Sequence, residues 1–360
     1  AEVADRLVVM SRGEILFDVS PREVYAEHAD ILHQDLGLWI PGACEFANLA
    51  RKKGWDISPF PLSMDEVPVE ELKFDISDSE KRAEERNEED PIISIRDLNF
   101  SYGDGPRVIK DVSLDIYENN IVAVVGQNGS GKTTLVSHLI GIRRPDSGSI
   151  TVAGLDATSA SIRDLSQKVG YVFQYPEHQF VTDTVFEEVA FSLRNQEVPD
   201  SEIQERVGEM LHVFKLNGFE DRHPYALSRG QKRRLSVASM LVLRPEVFIL
   251  DEPTTGQDWI NVVNLMEIIT GLHAEGLTFI MATHSMRMVA QYADRVVVMR
   301  KGEVVHDGTP SSLFTDKSLT ESLSLEVPPI YQLLNRIRES HPQFPAVRNL
   351  RDLSDMLRDQ

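Results

Sequence analysis

Residues 126–133 have the types and spacing that bind a phosphate group. Their sequence, Gly-Gln-Asn-Gly-Ser-Gly-Lys-Thr, fits G-x-x-x-x-G-K-[ST] and follows the apolar, mostly β-branched run 121–125. Glycines at this spacing let backbone N–H groups turn inward around an anion, and the next helix adds the positive end of its dipole. The Lys132 ammonium would contact the outer phosphates, and the Thr133 hydroxyl would bind Mg²⁺. We therefore predict a strand, a phosphate-binding loop and a helix over residues 121–142.

Two carboxylates follow another apolar run. Residues 247–250 predict a buried strand, and Asp251 and Glu252 come directly after it. We expect Asp251 to help hold the Mg²⁺ and Glu252 to polarise a water molecule toward the γ-phosphate. For this pair taken alone, acidic residues that only cap the next helix remain the alternative.

Two further predicted strands end in a polar side chain. Gln174 follows the strand pattern 170–173, and its amide could reach the Mg²⁺ and the attacking water. His284 follows the pattern 277–283 and could contact the γ-phosphate while it holds the water in line with Glu252. Most glutamines and histidines at strand ends have no such role, so both assignments depend on the phosphate loop.

Residues 227–231, Leu-Ser-Arg-Gly-Gln, precede a helical pattern over 232–243. Such a run can bind an anion through the Ser228 hydroxyl, the backbone N–H groups and the helix dipole. A plain serine N-cap is the alternative. Tyr102, just before the turn 103–106, could stack on an adenine ring, although strand tyrosines more often serve packing alone.

Composition restricts the class of protein. The chain has 360 residues, enough for more than one domain, and a net charge of −20, which argues against unaided binding to nucleic acid or to anionic lipid. Its single cysteine, Cys44, rules out a disulfide framework or a thiolate metal site and favours a reducing compartment. No apolar run reaches the roughly 18 residues of a membrane span, and no signal peptide is visible.

An internal repeat accounts for the start of the chain. Two stretches recur, and the matching pairs are 4–15 with 293–304 and 36–41 with 323–328. Each copy runs through two strands, a proline and a short helix to a basic stretch with a helical pattern. We therefore expect an N-terminally truncated fragment, in which residues 1–75 are the C-terminal remnant of a first copy of the unit that fills 92–360.

The expected domains follow from the repeat. They are the remnant with its helical tail at 1–75, an acidic linker at 76–91, a complete unit at 92–316 and a C-terminal helical extension at 317–360. Acidic composition without an apolar period already begins at Asp65, so we expect flexible chain from there to Asp90, with a solvated helix over 79–89 as the alternative. The two helical tails would add contacts between domains or form a dispensable surface extension.

In this order, the motifs resemble those of the nucleotide-binding domains of ATP-binding cassette (ABC) transporters. The resemblance covers 92–316 in full and 1–25 as a truncated tail. It implies an α/β P-loop NTPase core with a parallel sheet, an N-terminal antiparallel β-subdomain, an inserted helical subdomain and ATP hydrolysis between two domains joined head to tail. The implied roles are adenine stacking by Tyr102; phosphate binding by Gly126, Asn128, Gly129, Ser130, Gly131, Lys132, Thr133 and Thr134; Mg²⁺ binding by Thr133, Gln174 and Asp251; catalysis by Glu252, His284 and Gln174; and completion of the opposing ATP site by Ser228, Gly230, Gln231 and Asp258.

Within that family the sequence looks most like the ATPase of energy-coupling factor (ECF) importers for vitamins and transition metals. The stretches that carry this likeness are 173–179, 184–191, 253–258 and the tandem arrangement. The likeness implies a transmembrane coupling subunit, a substrate-binding membrane subunit and a second ABC domain as partners, no nucleic acid, and a peripheral location on the cytoplasmic face of the cell membrane. The alternatives are another ABC transporter class and a soluble ABC ATPase, which the acidic linker and the lack of a coiled coil disfavour.

Two features depart from the family pattern. Arg229 stands where a small residue is usual, and it places positive charge at a helix N-terminus, which the dipole disfavours unless phosphate or an acid compensates. The remnant has no phosphate loop, so this fragment has one competent phosphate site at most. The cargo is not determined by these residues, because specificity in such importers belongs to a separate subunit.

Overall fold

The computed structural model of the chain describes residues 4–75, 90–345 and 347–358. Its N-terminal elements are β1 (Leu7–Ser11), β2 (Glu14–Val19), α1 (Pro21–Glu27), a π-helical turn (Ile31–Asp35) and α2 (Gly42–Arg51). The central elements are β3 (Ile93–Ser101), β4 (Arg107–Ile116), β5 (Ile121–Val125), α3 (Lys132–Leu139), β6 (Ser147–Val152), β7 (Leu155–Asp156), α4 (Ile162–Lys168), β8 (Val169–Val172), α5 (Val185–Asn195), α6 (Asp200–Val213), α7 (Arg229–Leu241), β9 (Val247–Asp251), α8 (Trp259–Ala274), β10 (Thr278–Thr283), α9 (Met286–Tyr292), β11 (Arg295–Arg300) and β12 (Glu303–Gly308). The last helices are α10 (Pro310–Phe314), α11 (Lys317–Leu323), α12 (Pro329–Ser340) and α13 (Leu350–Asp355).

The central sheet brings the ends of its parallel strands to one edge. Its order is β12–β11–β5–β10–β9–β8, with only β12 antiparallel to its neighbour. β5 and β9 are buried along their whole length, as strands between two layers of helices require. The register pairs Thr283 with Val125 and Ala282 with Asp251. The loops after β5, β8, β9 and β10 therefore lie side by side.

The two predicted subdomains flank this sheet. Strands β4–β3–β6–β7 form an antiparallel sheet, and its apolar face packs into one core with β5 and α3. Helices α5 and α6, separated by a break at Pro199, form the helical insertion and pack against α7. The expected α/β P-loop fold with an antiparallel β-subdomain is thus confirmed. No helix in the described residues is long and apolar enough to cross a membrane.

The two repeat copies share details of side-chain contact. In the first copy Arg6 forms a two-pronged ion pair with Asp18, and in the second copy Arg295 does the same with Asp307. Both hairpins carry a register shift at the same place, between Val9/Met10 and between Val298/Met299. One further pair of contacts matches: Asn48 Nδ2 to Tyr25 O at 3.0 Å, and Asn335 Nδ2 to Phe314 O at 3.1 Å. The repeat seen in the sequence therefore extends to equivalent hydrogen bonds.

The helical tails of the two copies pack together. Helix α2 contacts α12 and α13, and the Trp55 indole N–H donates to Arg358 O at 2.7 Å. The prediction of flexible chain from Asp65 is wrong for residues 65–75. The apolar side chains of that stretch are buried, and they belong to Val67, Val69, Leu72 and Phe74. The acidic side chains of residues 65–75 are exposed, while the four apolar side chains are buried in the core between the two tails. These apolar residues follow neither a helical nor a strand period, so the sequence pattern did not indicate that they are buried. Residues 76–89, with the alternative helix, lie outside the described residues.

Candidate nucleotide site

The loop between β5 and α3 has the geometry of an anion cradle. Gly126 and Gly131 have φ values of 148° and 109°, and a Cβ on Gly126 would collide with the Met299 carbonyl. Within the described residues the buried Ser130 Oγ has no hydrogen-bond partner. A buried polar atom without a partner is costly, so it marks a place where a polar ligand fits.

Lys132 lies inside this loop. Its ammonium donates to Gly126 O at 2.8 Å and to Gln127 O at 3.3 Å, and only 6% of the residue is exposed. Burial lowers the pKa of the ammonium, whereas the nearby carboxylates of Glu252 and Asp251 act in the opposite direction. Among the described residues the hydrogen-bond partners of this ammonium are neutral carbonyls, which leaves its charge available for a phosphate.

Asp251 joins the loop to the end of β9. Thr133 Oγ1 donates to its Oδ1 at 3.3 Å, and the Tyr171 hydroxyl donates to its Oδ2 at 3.0 Å. Burial raises the pKa of Asp251, and the two hydroxyl donors partly oppose that rise. A hydroxyl beside a carboxylate suits Mg²⁺, which takes few protein ligands and uses substrate phosphates for others. The described residues contain no cluster of three or more His, Cys, Asp or Glu that could hold a metal ion.

Glu252 and His284 form a pair across neighbouring strand ends. His284 Nδ1 donates to Glu252 Oε2 at 2.8 Å, and the Glu252 side chain is 9% exposed against 63% for the histidine. Glu252 has a φ of 48°, and its backbone N–H donates to Ala282 O at 2.8 Å. This left-handed residue follows β9 at the sheet edge where the phosphate loop also lies, and its role as a water-polarising base stays a prediction.

Gln174 is close to this group through its backbone. Among the described hydrogen bonds none uses its side-chain amide, so its contact with Mg²⁺ or water stays a prediction. Its carbonyl accepts from Arg233 Nη1 at 3.4 Å. The same guanidinium donates to Phe173 O at 2.5 Å and to Asp251 O at 3.2 Å.

Two residues that the sequence did not single out, Arg233 and Tyr171, contact Asp251. Arg233 is 3% exposed, and burial lowers its pKa to about 10. The helical period was the available signal, because Arg233 falls on the same buried face of α7 as Gly230 and Val237. An arginine on the buried face of a helix requires acceptors, and here they are the carbonyls of the loop after β8 and of β9.

Tyr102 lies beside the first turn of α3, next to the phosphate loop. Its hydroxyl is 3.0 Å from Thr134 Oγ1, and 47% of the residue is exposed. Its ring packs edge-on against Phe100, and the guanidinium carbon of Arg143 lies 4.5 Å from its centroid. An exposed aromatic ring beside the phosphate loop is suited to stacking on a base. Adenine stacking by Tyr102 stays a prediction.

The Ser228 run caps α7 and makes no described hydrogen bond to the phosphate loop of its own domain. Ser228 Oγ accepts from Gln231 N at 3.3 Å, and Gln231 Oε1 accepts from Ser228 N at 2.9 Å, a reciprocal capping box. The guanidinium of Arg229 packs against Gly256, where a Cβ would overlap it. No carboxylate among the described residues forms an ion pair with Arg229. Of the two compensating groups that the sequence analysis named, phosphate and an acid, the acid is therefore not found in the part that the structure describes.

Asp258 caps the next helix, α8. Its Oδ1 accepts from Asn261 N at 2.8 Å, and its Oδ2 accepts from Asn261 Nδ2 at 2.9 Å. Asn261 packs against Gly230, where a Cβ would overlap the amide. The Asp258 loop and the Ser228 run are thus held together through one asparagine.

Known proteins resemble the chain in sequence and in fold. The family model described as "ABC transporter" matches residues 109–255. The energy-coupling factor transporter ATP-binding protein EcfA of Methanothermobacter thermautotrophicus is 39% identical over 249 residues, 69% of this chain and 80% of that protein. The structure of cbiO1 from Clostridium perfringens, described as part of the ABC transporter complex cbiONQ, matches with a TM-score of 0.60 at 35% identity, covering 68% of this chain and 99% of that one.

Longer relatives also match nearly the whole chain. One from Caldanaerobacter subterraneus is 37% identical over 345 residues, and it is named, provisionally, as an ABC transporter ATP-binding protein. The match takes in 93% of this chain and 60% of the relative. A relative from Methanosarcina acetivorans, with the same kind of name, is 35% identical and is likewise covered to 60%. The chain thus spans about 60% of the length of these relatives.

Proposed function

The chain belongs to the family of ABC transporter ATP-binding proteins, and from this premise we propose that it powers an importer of the energy-coupling factor type for vitamins or transition metals. The observation that carries ATP hydrolysis is the Glu252–His284 pair, at 2.8 Å, on the sheet edge that also holds the phosphate loop. The names of the EcfA relative and of the cbiO1 structure support the narrower assignment to this class of importer.

The residues of the cradle bind Mg-ATP. The loop N–H groups, Ser130 and the Lys132 ammonium hold the phosphates, while Thr133 and Asp251 hold Mg²⁺, which neutralises phosphate charge when bound. Glu252 orients and polarises the attacking water. His284 donates to the Glu252 carboxylate and thereby fixes its orientation at the strand end.

A second ABC domain completes the site. Ser228, Gly230, Gln231 and Asp258 would then face an ATP held by the opposing phosphate loop. The hairpin of the first copy supports this arrangement: β11 pairs with β5, whereas β1 pairs only with β2 among the described strands. Met10 is correspondingly 61% exposed, while its equivalent Met299 is 1% exposed. We assign residues 1–75 to the end of that first domain, 92–316 to the complete domain and 317–360 to its extension.

The membrane partner would contact the surface between the loop after β8 and α5. Large apolar side chains are exposed there, and they include Tyr175 at 46%, Val181 at 64% and Phe191 at 42%. Exposed apolar patches next to a moving loop suit the coupling helices of a transmembrane subunit. We accordingly propose that the protein acts at the cytoplasmic face of the membrane, together with a second membrane subunit that selects the cargo.

Substitution of the base tests the chemistry. Glu252→Gln keeps the size of the side chain and removes its negative charge, so we expect ATP to bind as before while hydrolysis nearly stops. ATP binding is measured by titration and turnover by phosphate release. Turnover above about a tenth of the native rate would refute Glu252 as the base.

Purification from native membranes in mild detergent tests the partners. We expect the full-length protein to bring down one polytopic coupling protein and a small substrate-binding membrane protein, identified by mass spectrometry. Recovery of ribosomal proteins, or of no membrane protein, would instead favour a soluble ABC ATPase. Recovery of a membrane protein with its own transport pathway would favour another ABC transporter class.

A further inference from the structure

Trp259, which directly follows Asp258, is held by the first repeat. Its backbone N–H donates to Gly37 O at 3.1 Å, and its indole N–H donates to His33 Nε2 at 2.5 Å. Trp39 packs edge-on against the indole with 4.3 Å between ring centroids. All three partners lie between α1 and α2, so the contact joins the tail of one repeat to the Asp258 loop of the other.

Arg287 fastens the helix after His284 to the same tail. Its guanidinium carbon lies 4.4 Å from the centroid of Trp259, and its Nη2 lies 2.5 Å from Glu45 Oε2 on α2. A guanidinium over an indole face is attracted by the ring, and the attraction grows where water is excluded. Both charged groups are less than a quarter exposed, so this ion pair is weakly screened.

Contacts through Asn261 connect the start of α8, where Trp259 lies, to the first turn of α7. Asp258 is bonded twice to Asn261, and Asn261 Oδ1 accepts from Arg234 Nη1 at 3.2 Å. Asn261 packs directly on Gly230. Because Asn261 joins the first turn of α8 to the first turn of α7, we expect a displacement of Trp259 to move the Asp258 loop together with the Ser228 run.

We propose that Trp259 and Arg287 are positioning residues that let the tail of the first repeat set the Asp258 loop and the His284 helix at the ATP interface. The inference rests on the proposed function, because it assigns a role in ATP hydrolysis. It adds to that function a contact through which the tail of the first repeat positions the Asp258 loop and the His284 helix of the complete domain. Docking of the first repeat's tail and the rate of ATP hydrolysis are thereby coupled.

Steady-state kinetics of the full-length protein test the coupling. Trp259→Phe keeps an aromatic ring and the backbone bond to Gly37 but loses the indole hydrogen bond, and Arg287→Met loses the ion pair and the ring contact. Loss of one buried hydrogen bond should lower kcat about 2- to 12-fold. The KM for Mg-ATP should change by less than about twofold, since Lys132 and its loop are untouched. The double variant should lose no more than the worse single variant, because both break one junction.

Trp55→Phe is the matched control. Its indole N–H also bonds within the tails, to Arg358 O, and no hydrogen bond or ring contact described for Trp55 reaches the Asp258 loop or the His284 helix. We expect it to change the melting temperature without changing kcat. Unchanged kcat in both single variants, or an equal fall in Trp55→Phe, would overturn the inference while leaving the ATPase assignment intact. A wild-type protein without ATPase activity would refute the proposed function and the inference together.

Discussion

Replacing Arg233 by methionine should destabilise the protein and release the loop that carries Gln174. The guanidinium makes three hydrogen bonds to backbone carbonyls of Phe173, Gln174 and Asp251, each worth about 1.5–3 kcal/mol for a charged donor. Burial opposes them: the lowering of the Arg233 pKa to about 10 corresponds to about 3 kcal/mol against the charged form. The hydrogen bonds outweigh this penalty. We expect a net loss of about 2–6 kcal/mol in the free energy of unfolding.

Two measurements separate the global effect from the local one. Urea unfolding gives the loss of stability, and hydrogen exchange at residues 173–182 shows whether the loop is released. Arg338→Met is the control, because Arg338 also donates to two carbonyls, those of Phe344 and Pro345, but lies in the tail away from the site. Faster exchange at 173–182 should occur in Arg233→Met alone. A loss of stability below about 1 kcal/mol with unchanged exchange would show that Arg233 does not anchor this loop.

Two further predictions concern Lys132 and His33. Lys132→Ala removes the buried ammonium from the cradle, so ATP affinity should fall by about tenfold or more, and an unchanged affinity in a titration would count against the phosphate-loop assignment. The pKa of His33 is lowered mainly by burial, against the opposing charges of Glu45 and Asp30, so the folded protein binds fewer protons there than the unfolded chain. The contribution of His33 to stability is therefore complete above the ordinary histidine pKa of about 6.5, and it is lost as the pH falls below that value. We expect the melting temperature of the wild-type protein to fall more between pH 7.5 and about 5.5 than the melting temperature of His33→Phe.

Short stretches of sequence predicted the nucleotide site because its parts are local. A phosphate loop needs glycines at fixed spacing between a strand and a helix, and the continuous segment 126–133 provides them. Asp251, Glu252 and His284 were placed correctly at strand ends because buried parallel strands are apolar runs whose ends are visible in the sequence. That these ends lie at one edge follows from parallel pairing.

Other contacts depended on tertiary packing. The Tyr171 hydroxyl meets Asp251 only because β8 pairs with β9, and the three carbonyls bound by Arg233 come from the loop after β8 and from the end of β9. No spacing rule indicates such partners, because they depend on which strands are neighbours. The buried stretch 65–75 was misjudged for a related reason: its few apolar side chains have no regular period, and a partner surface on the second tail decides that they are buried.

The phosphate loop, the paired acids and the repeated tail could be predicted from the chain alone, because each is a pattern of residues that are neighbours in the sequence. The contacts between the two repeats could be seen only in the folded structure. Trp259 and His33 are 226 residues apart in the chain, yet one hydrogen bond joins them. Contacts between residues so far apart in the chain form only when complete elements pack together, because that packing has to offset the entropy lost in bringing the residues together.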